Sequence, residues 1–131
     1  MATHPLLNNS KILVVDDEHS LVNLCLMILE QAGFNVRGAF SGKQALQMVG
    51  DEMPDLILLD VMMPGMDGIE VCRRIREHSP EKRPYILMYT ADDRQYTKTE
   101  SLNAGATDFI SKDTPIFDLP GKIKNYLTAT A

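Results

Sequence analysis

At 131 residues the chain is one domain's worth, long enough to bury roughly two-thirds of its surface without disulfide or metal staples. Its apolar fraction of 44% is ordinary, and a formal net charge of −5 with no basic cluster argues against a nucleic-acid surface. Cys25 and Cys72 show neither CxxC nor Cys/His metal spacing, residues 1–10 lack the apolar core of a signal peptide, and no run is long enough to cross a bilayer. The composition therefore predicts a cytoplasmic globular domain over residues 11–128, between short tails at 1–10 and 129–131.

In chain order, strand and helix signals alternate five times. Lys11–Val15 reads as a buried strand. Ser20–Ala32 follows with Leu21, Leu24, Cys25, Ile28, Leu29 and Ala32 on one helical face, and Gly33 as a stop. Asn35–Phe40 is a less apolar strand, expected at a sheet edge. Ser41 and Gln44 form an S-x-x-Q capping box for a short helix that turns Ala45, Leu46 and Val49 inward.

Pro54 and Asp55 precede a third strand ending at Asp60. Pro64-Gly65 and Asp67-Gly68 are turn chemistry before a helix over about Ile69–His78, which Ser79-Pro80 ends. A fourth strand follows Pro84. Arg94–Asn103 is a polar helix with Tyr96 and Leu102 among its few apolar positions. Thr107–Ile110 is the fifth strand. In the last helix Asp118 is the expected N-cap, so that Pro120 falls in the first turn, where a missing N–H costs nothing. Strands alternating with helices imply a parallel sheet covered on both faces, with right-handed crossovers.

The strand ends carry the chemistry. Ile12–Val15 runs into Asp16, Asp17 and Glu18; Leu56–Leu59 into Asp60; Tyr85–Tyr89 into Thr90; Phe109-Ile110 leads to Lys112. In an open parallel sheet these ends share one edge, where ligands bind. Asp16, Asp17 and Asp60 cannot comfortably ionise side by side, and a divalent cation resolves the conflict. Hard oxygens with no His or Cys nearby favour Mg²⁺. Lys112 and Thr90 would add a cation and a hydroxyl donor around a phosphoryl group in transit. The nucleophile is then a carboxylate, and Asp60, alone at its strand end before an exposing loop, is the candidate.

Val14-Val15-Asp16-Asp17-Glu18, the run Asp60-Val61-Met62-Met63-Pro64-Gly65-Met66-Asp67-Gly68, Thr90-Ala91, Ala104-Gly105-Ala106 and Lys112 together resemble the response regulator receiver domain of two-component signalling. The resemblance covers about Lys11 to Leu127. It implies an α/β, flavodoxin-like three-layer sandwich: a five-stranded parallel sheet of order 2-1-3-4-5 with five helices, the order for which a member of this family is a standard example. It also implies a role for each residue. Asp60 is the phosphoacceptor. Asp16, Asp17 and Asp60 form the Mg²⁺ site, completed by the Met62 backbone carbonyl. Thr90 is the switch hydroxyl, Lys112 the phosphate-binding amine and Phe109 the switch aromatic.

Such a domain takes its phosphoryl group from a histidine kinase or histidine phosphotransfer protein. It then switches the surface of its fourth helix, fifth strand and fifth helix for a downstream protein target, without direct contact to nucleic acid or membrane. It is not an enzyme beyond catalysing its own phosphorylation and dephosphorylation, and its oligomeric state is left open. Leu26 and Met27, flanking the apolar stripe of the first helix, are candidates for a kinase docking patch.

The chain departs from the family at Asp113, which follows Lys112 where proline is usual. Three other readings compete. A haloacid dehalogenase-type aspartyl phosphatase needs a second Asp two residues after the nucleophile, and Met62 stands there. A flavin-binding domain needs a phosphate loop that Asp16-Asp17-Glu18 would repel. A phosphorylation-independent interaction module would not need Asp60, Thr90 and Lys112 together.

Overall fold

The computed structural model describes residues 9–79 and 83–128. The terminal tails lie outside them except for residues 9 and 10, and so does Pro80. Five strands, β1 (Lys11–Val15), β2 (Asn35–Ala39), β3 (Leu56–Leu59), β4 (Tyr85–Thr90) and β5 (Asp108–Ser111), form one parallel sheet in the order β2-β1-β3-β4-β5. This is the predicted order, with the less apolar β2 at an edge.

The helices are α1 (His19–Gln31), α2 (Gly42–Asp51), α3 (Gly68–His78), α4 (Gln95–Asn103) and α5 (Leu119–Thr128). Side chains alternate across the pleat, so each strand feeds two cores. Ile12, Val14, Leu56, Leu58, Leu87 and Tyr89 pack with α1 and α5. Leu13, Val15, Ile57, Leu59, Ile86 and Met88 pack with α2 and α3 and with Ala104 just past α4. The four central-strand residues of β3 are all buried, as continuous apolar runs in a doubly covered sheet require.

Three local expectations are corrected. In α1 the buried residues are Val22, Cys25, Ile28 and Leu29, while Leu24 is exposed. The reason lies in β2: a Cβ at Gly38 would come within 2.6 Å of Val22 Cγ1, so the bare glycine lets α1 settle with its Val22 side against the sheet. Leu26 packs on the same spot and joins the core, which leaves Met27 as the open member of the proposed docking pair.

The capping box of α2 is skewed by one residue. Ser41 Oγ accepts from the Gln44 N–H (3.1 Å), but Gln44 Oε1 accepts from the N–H of Phe40, not of Ser41 (2.9 Å). The last helix also starts differently. A 3₁₀ turn over Ile116–Asp118, opened by Pro115, runs straight into α5, so Asp118 lies within the turn and does not cap it. Asp118 N–H donates to Pro115 O (2.9 Å), and Pro120 falls in the first turn of α5 as expected.

Candidate functional site

Ladder bonds carry the strands one residue past their formal ends. Asp16 N–H donates to Ala39 O (3.1 Å) and Asp60 N–H to Val15 O (2.9 Å), so the two carboxylates sit side by side at the C-terminal edge. Lys112 N–H donates to Thr90 O (2.9 Å), which anchors the lysine next to β4. Phe109 is level with Met88, and Met88 with Leu59. Parallel pairing thus gathers residues more than forty positions apart in the chain.

The result is a half-enclosed acidic crevice. Asp16, Asp17 and Asp60 each offer a carboxylate oxygen within 4.8 Å of the others; Asp16 and Asp60 are buried and Asp17 is exposed. Lys112 Nζ donates to Asp16 Oδ2 (2.7 Å) and Asp60 Oδ2 (3.2 Å). Asp16 Oδ1 accepts from the Glu18 N–H (3.0 Å) and Asp60 Oδ1 from the Met62 N–H (3.3 Å), which fixes both carboxylates. Tyr89 forms part of the floor, with Lys112 Nζ 6.0 Å from its ring centroid.

Electrostatics follow from burial and crowding. Burial, and then the charge of Asp16, push the Asp60 pKa above its ordinary value, while Lys112 and the Thr90 hydroxyl pull the other way. Burial works against the Lys112 ammonium, yet Asp16 and Asp60 outweigh it and hold its pKa above the usual lysine value. Below the floor, burial and the Asp16 charge push the Cys25 thiol up to about 11, so it is an inert packing group.

Three carboxylates against one ammonium leave a formal charge of −2 in the crevice. The donors are all hard oxygens, one of them solvent-facing. This set fits a small divalent cation that keeps part of its water shell, and it fits Mg²⁺ better than a thiophilic metal.

The structure brings Asp16, Asp17, Asp60, Thr90 and Lys112 together. Met62 is exposed, with its backbone beside Asp60. Phe109 is half-buried against the core on the α2–α3 side of the sheet, with Lys98 Nζ 5.5 Å from its ring centroid. The Lys112–Asp113 bond is trans, and Lys112 pairs across the sheet and not with its exposed neighbour Asp113. Asp113 N–H caps Ser111 Oγ (3.1 Å) and Thr114 N–H closes a turn on Ser111 O (3.0 Å). The chain thus leaves the site by an ordinary turn, where the family commonly uses proline.

Two contributors have contacts that go beyond the sequence reading. Gly68 is more than turn chemistry: a Cβ there would lie 2.0 Å from Asp60 O. Its N–H donates to Val61 O (2.9 Å), and Asp67 caps α3 through Oδ1 and the Glu70 N–H (2.9 Å). The start of α3 is thereby pressed against the Asp60 backbone. The second is Asp92, whose N–H donates to Thr90 Oγ1 (3.2 Å). The spacing Asp92-x-Arg94-x-x-Thr97 ahead of a helix without its own N-cap side chain was the available signal.

A family model described as the response regulator receiver domain matches residues 12–124. The chain belongs to this family. The receiver domain is 43% identical over 120 residues to the Bacillus subtilis alkaline phosphatase synthesis transcriptional regulatory protein PhoP, covering 91% of this chain and 49% of that protein. It thus spans about half the length of that curated relative. Among solved structures, the receiver domain of Francisella response regulator 1452 superposes with a TM-score of 0.84 at 28% identity, covering 94% of this chain and all of that one. A putative response regulator from Chloroflexus aurantiacus gives 0.83 at 36% identity, covering 92% of this chain and 98% of the other. The domain is a signalling module of two-component systems. Among the described residues no helix is long and apolar enough to cross a membrane.

Proposed function

We propose that this receiver domain accepts a phosphoryl group on Asp60 from a histidine kinase or histidine phosphotransfer protein in the cytoplasm. The observation that carries the reading is the meeting of Asp16, Asp17 and Asp60 within 4.8 Å, with Lys112 Nζ bonded to two of them. A carboxylate oxygen of Asp60 attacks phosphorus; the P–N bond to the donor imidazole breaks as the P–O bond forms, and the imidazole leaves with a proton. Mg²⁺, when bound by Asp16, Asp17, Asp60 and the Met62 carbonyl, supplies positive charge for the phosphoryl oxygens.

The chain's own residues do the rest. Lys112 already neutralises Asp16 and Asp60, and its ammonium is placed to follow charge onto a phosphoryl oxygen. Thr90, buried at the end of β4, offers a hydroxyl proton toward the same space. Movement of Thr90 toward the phosphoryl group, with Phe109 turning inward, would alter the α4–β5–α5 surface read by a downstream protein, a population shift between two packings.

The domain catalyses only its own phosphorylation and dephosphorylation. An aspartyl phosphatase reading is not favoured, because Met62 stands where that chemistry needs a general acid. We assign the domain itself no nucleic-acid contact, in keeping with its net charge of −5. The folded unit proper is residues 11–128.

Intact mass after incubation with acetyl phosphate and Mg²⁺ tests the reading. The expected result is one added phosphoryl group on the wild type and none on Asp60→Asn. Equal uptake by both, or uptake by neither, contradicts it.

A further inference from the structure

Thr90 is tied to α4 through one carboxylate. Its Oγ1 accepts the N–H of Asp92 at 3.2 Å. The Asp92 carboxylate is in turn clamped four ways: by Arg94 Nε (2.9 Å), Arg94 Nη2 (2.7 Å), the Arg94 backbone N–H (3.2 Å) and Thr97 Oγ1 (2.8 Å). Arg94 occupies the N-cap position of α4 and makes no side-chain cap; the Asp92 carboxylate instead ties the Arg94 N–H to the Thr97 hydroxyl one turn into the helix. Thr97 is buried, and one turn on the buried Ser101 donates to Thr97 O (2.7 Å). Hydrogen bonds therefore run without a break from Thr90 through two turns of α4.

Resting on the phosphoacceptor reading above, we propose that Asp92, gripped by Arg94, is a positioning residue for Thr90. The pair holds the β4–α4 loop, and Thr90 with it, in the arrangement of the unphosphorylated domain. Arg94 sets how readily that arrangement gives way. The Arg94 bonds end on Asp92, so the pair reaches the phosphoryl site only through the Asp92 N–H on Thr90 Oγ1. A device of that kind lowers the affinity for anything that requires the other arrangement, by the fraction of molecules it withholds. The Arg94 side chain is 73% exposed, so the grip is screened by salt and its removal opens no core. Breaking it should release the switch and spare the fold.

Binding of Mg²⁺ with beryllofluoride, a mimic of the phosphoryl group, reads this directly. Titrations compare wild type, Arg94→Gln and Arg94→Lys at low and high sodium chloride. Arg94→Gln is expected to bind roughly two- to fivefold more tightly than wild type, in line with the strength of exposed ion pairs. Arg94→Lys, which keeps the charge but loses the two-nitrogen fork, should fall between wild type and Arg94→Gln, and the ratio of Arg94→Gln to wild type should shrink toward one at high salt. A ratio of one at low salt, weaker binding by Arg94→Gln, or a gap that salt leaves untouched overturns the proposal. Acetyl phosphate labelling of the same proteins separates the two readings. If wild type and Arg94→Gln both take up one phosphoryl group with equal beryllofluoride affinity, the Asp92 role falls and the phosphoacceptor reading stands. If the wild type neither labels nor binds, both fall.

Discussion

Two helices flanking the same sheet are held by different physics. α1 buries Val22, Cys25, Ile28 and Leu29 against the strands. α4 buries Thr97 and Ser101 and leaves Tyr96 72% and Leu102 52% exposed. The first is anchored by apolar surface removed from water, which is non-directional and tolerant of small displacements. The second is anchored by hydrogen bonds and one ion pair, which hold a single geometry and are lost together when it changes. α1 belongs to the rigid frame that presents Asp16 and Asp17. α4 follows Thr90 and can exchange one set of polar partners for another at little cost in core packing. The difference assigns the two helices separate tasks: the frame holds the charges, and the polar helix reports on them.

The largest expected effect compares deletions on the two sides. Leu29→Ala removes a fully buried side chain from α1 and should cost about 2–5 kcal/mol in urea unfolding. Ser101→Ala removes one local hydrogen bond from α4 and should cost about 0.5–1.5 kcal/mol. Equal costs would break the comparison.

A middle-sized effect concerns the frame's charges. Asp60 has a folded-state pKa above its ordinary value because of burial and Asp16. Its ionised form is therefore penalised by folding, fully so above the folded pKa. The penalty fades as pH falls from the folded pKa to the unfolded one, and it is gone below both. Asp60→Asn removes that penalty and leaves Lys112 its bond to Asp16. It should melt a few degrees above wild type at neutral pH, the gap closing as pH falls into the ordinary carboxylate range. A variant that melts lower at neutral pH would mean that Asp60 steadies the crevice through Lys112 more than it strains it.

The subtlest effect is the change in beryllofluoride affinity in Arg94→Gln. It sharpens the comparison by asking whether the polar anchoring of α4 opposes the switch or only steadies the loop ahead of the helix.

The same contrast explains what was legible in the sequence. Continuous apolar runs ending in Asp16, Asp60 and Thr90 announce buried parallel strands, because only a sheet covered on both faces takes three such runs. Their order is what the resemblance to receiver domains implies, and with it comes the meeting of the carboxylates. Features that depend on how one surface meets another were not legible. Leu24 and Val22 compete for the same side of α1, and a missing Cβ at Gly38 on another element decides between them. Gly68 reads as a turn residue until the carbonyl of Asp60 is seen beneath it. Gln44 bonds the N–H of Phe40, one residue before the one the S-x-x-Q spacing names. What grips Asp92 is equally invisible in the sequence, because its four donors come from Arg94 and from Thr97 one turn into α4. α4 itself, lacking an apolar stripe, gave a helix signal with no inward face.

The central claim is that the carboxylate bonded to Lys112 at the end of β3 is the one that takes the phosphoryl group. Borohydride reduction of the acetyl phosphate-treated domain converts an aspartyl phosphate to homoserine, which peptide mass mapping then locates. Homoserine at position 60, dependent on Mg²⁺ and at no other position, is the expected result. Homoserine at position 16 or 17, or none under conditions where Mg²⁺ is bound, would contradict it.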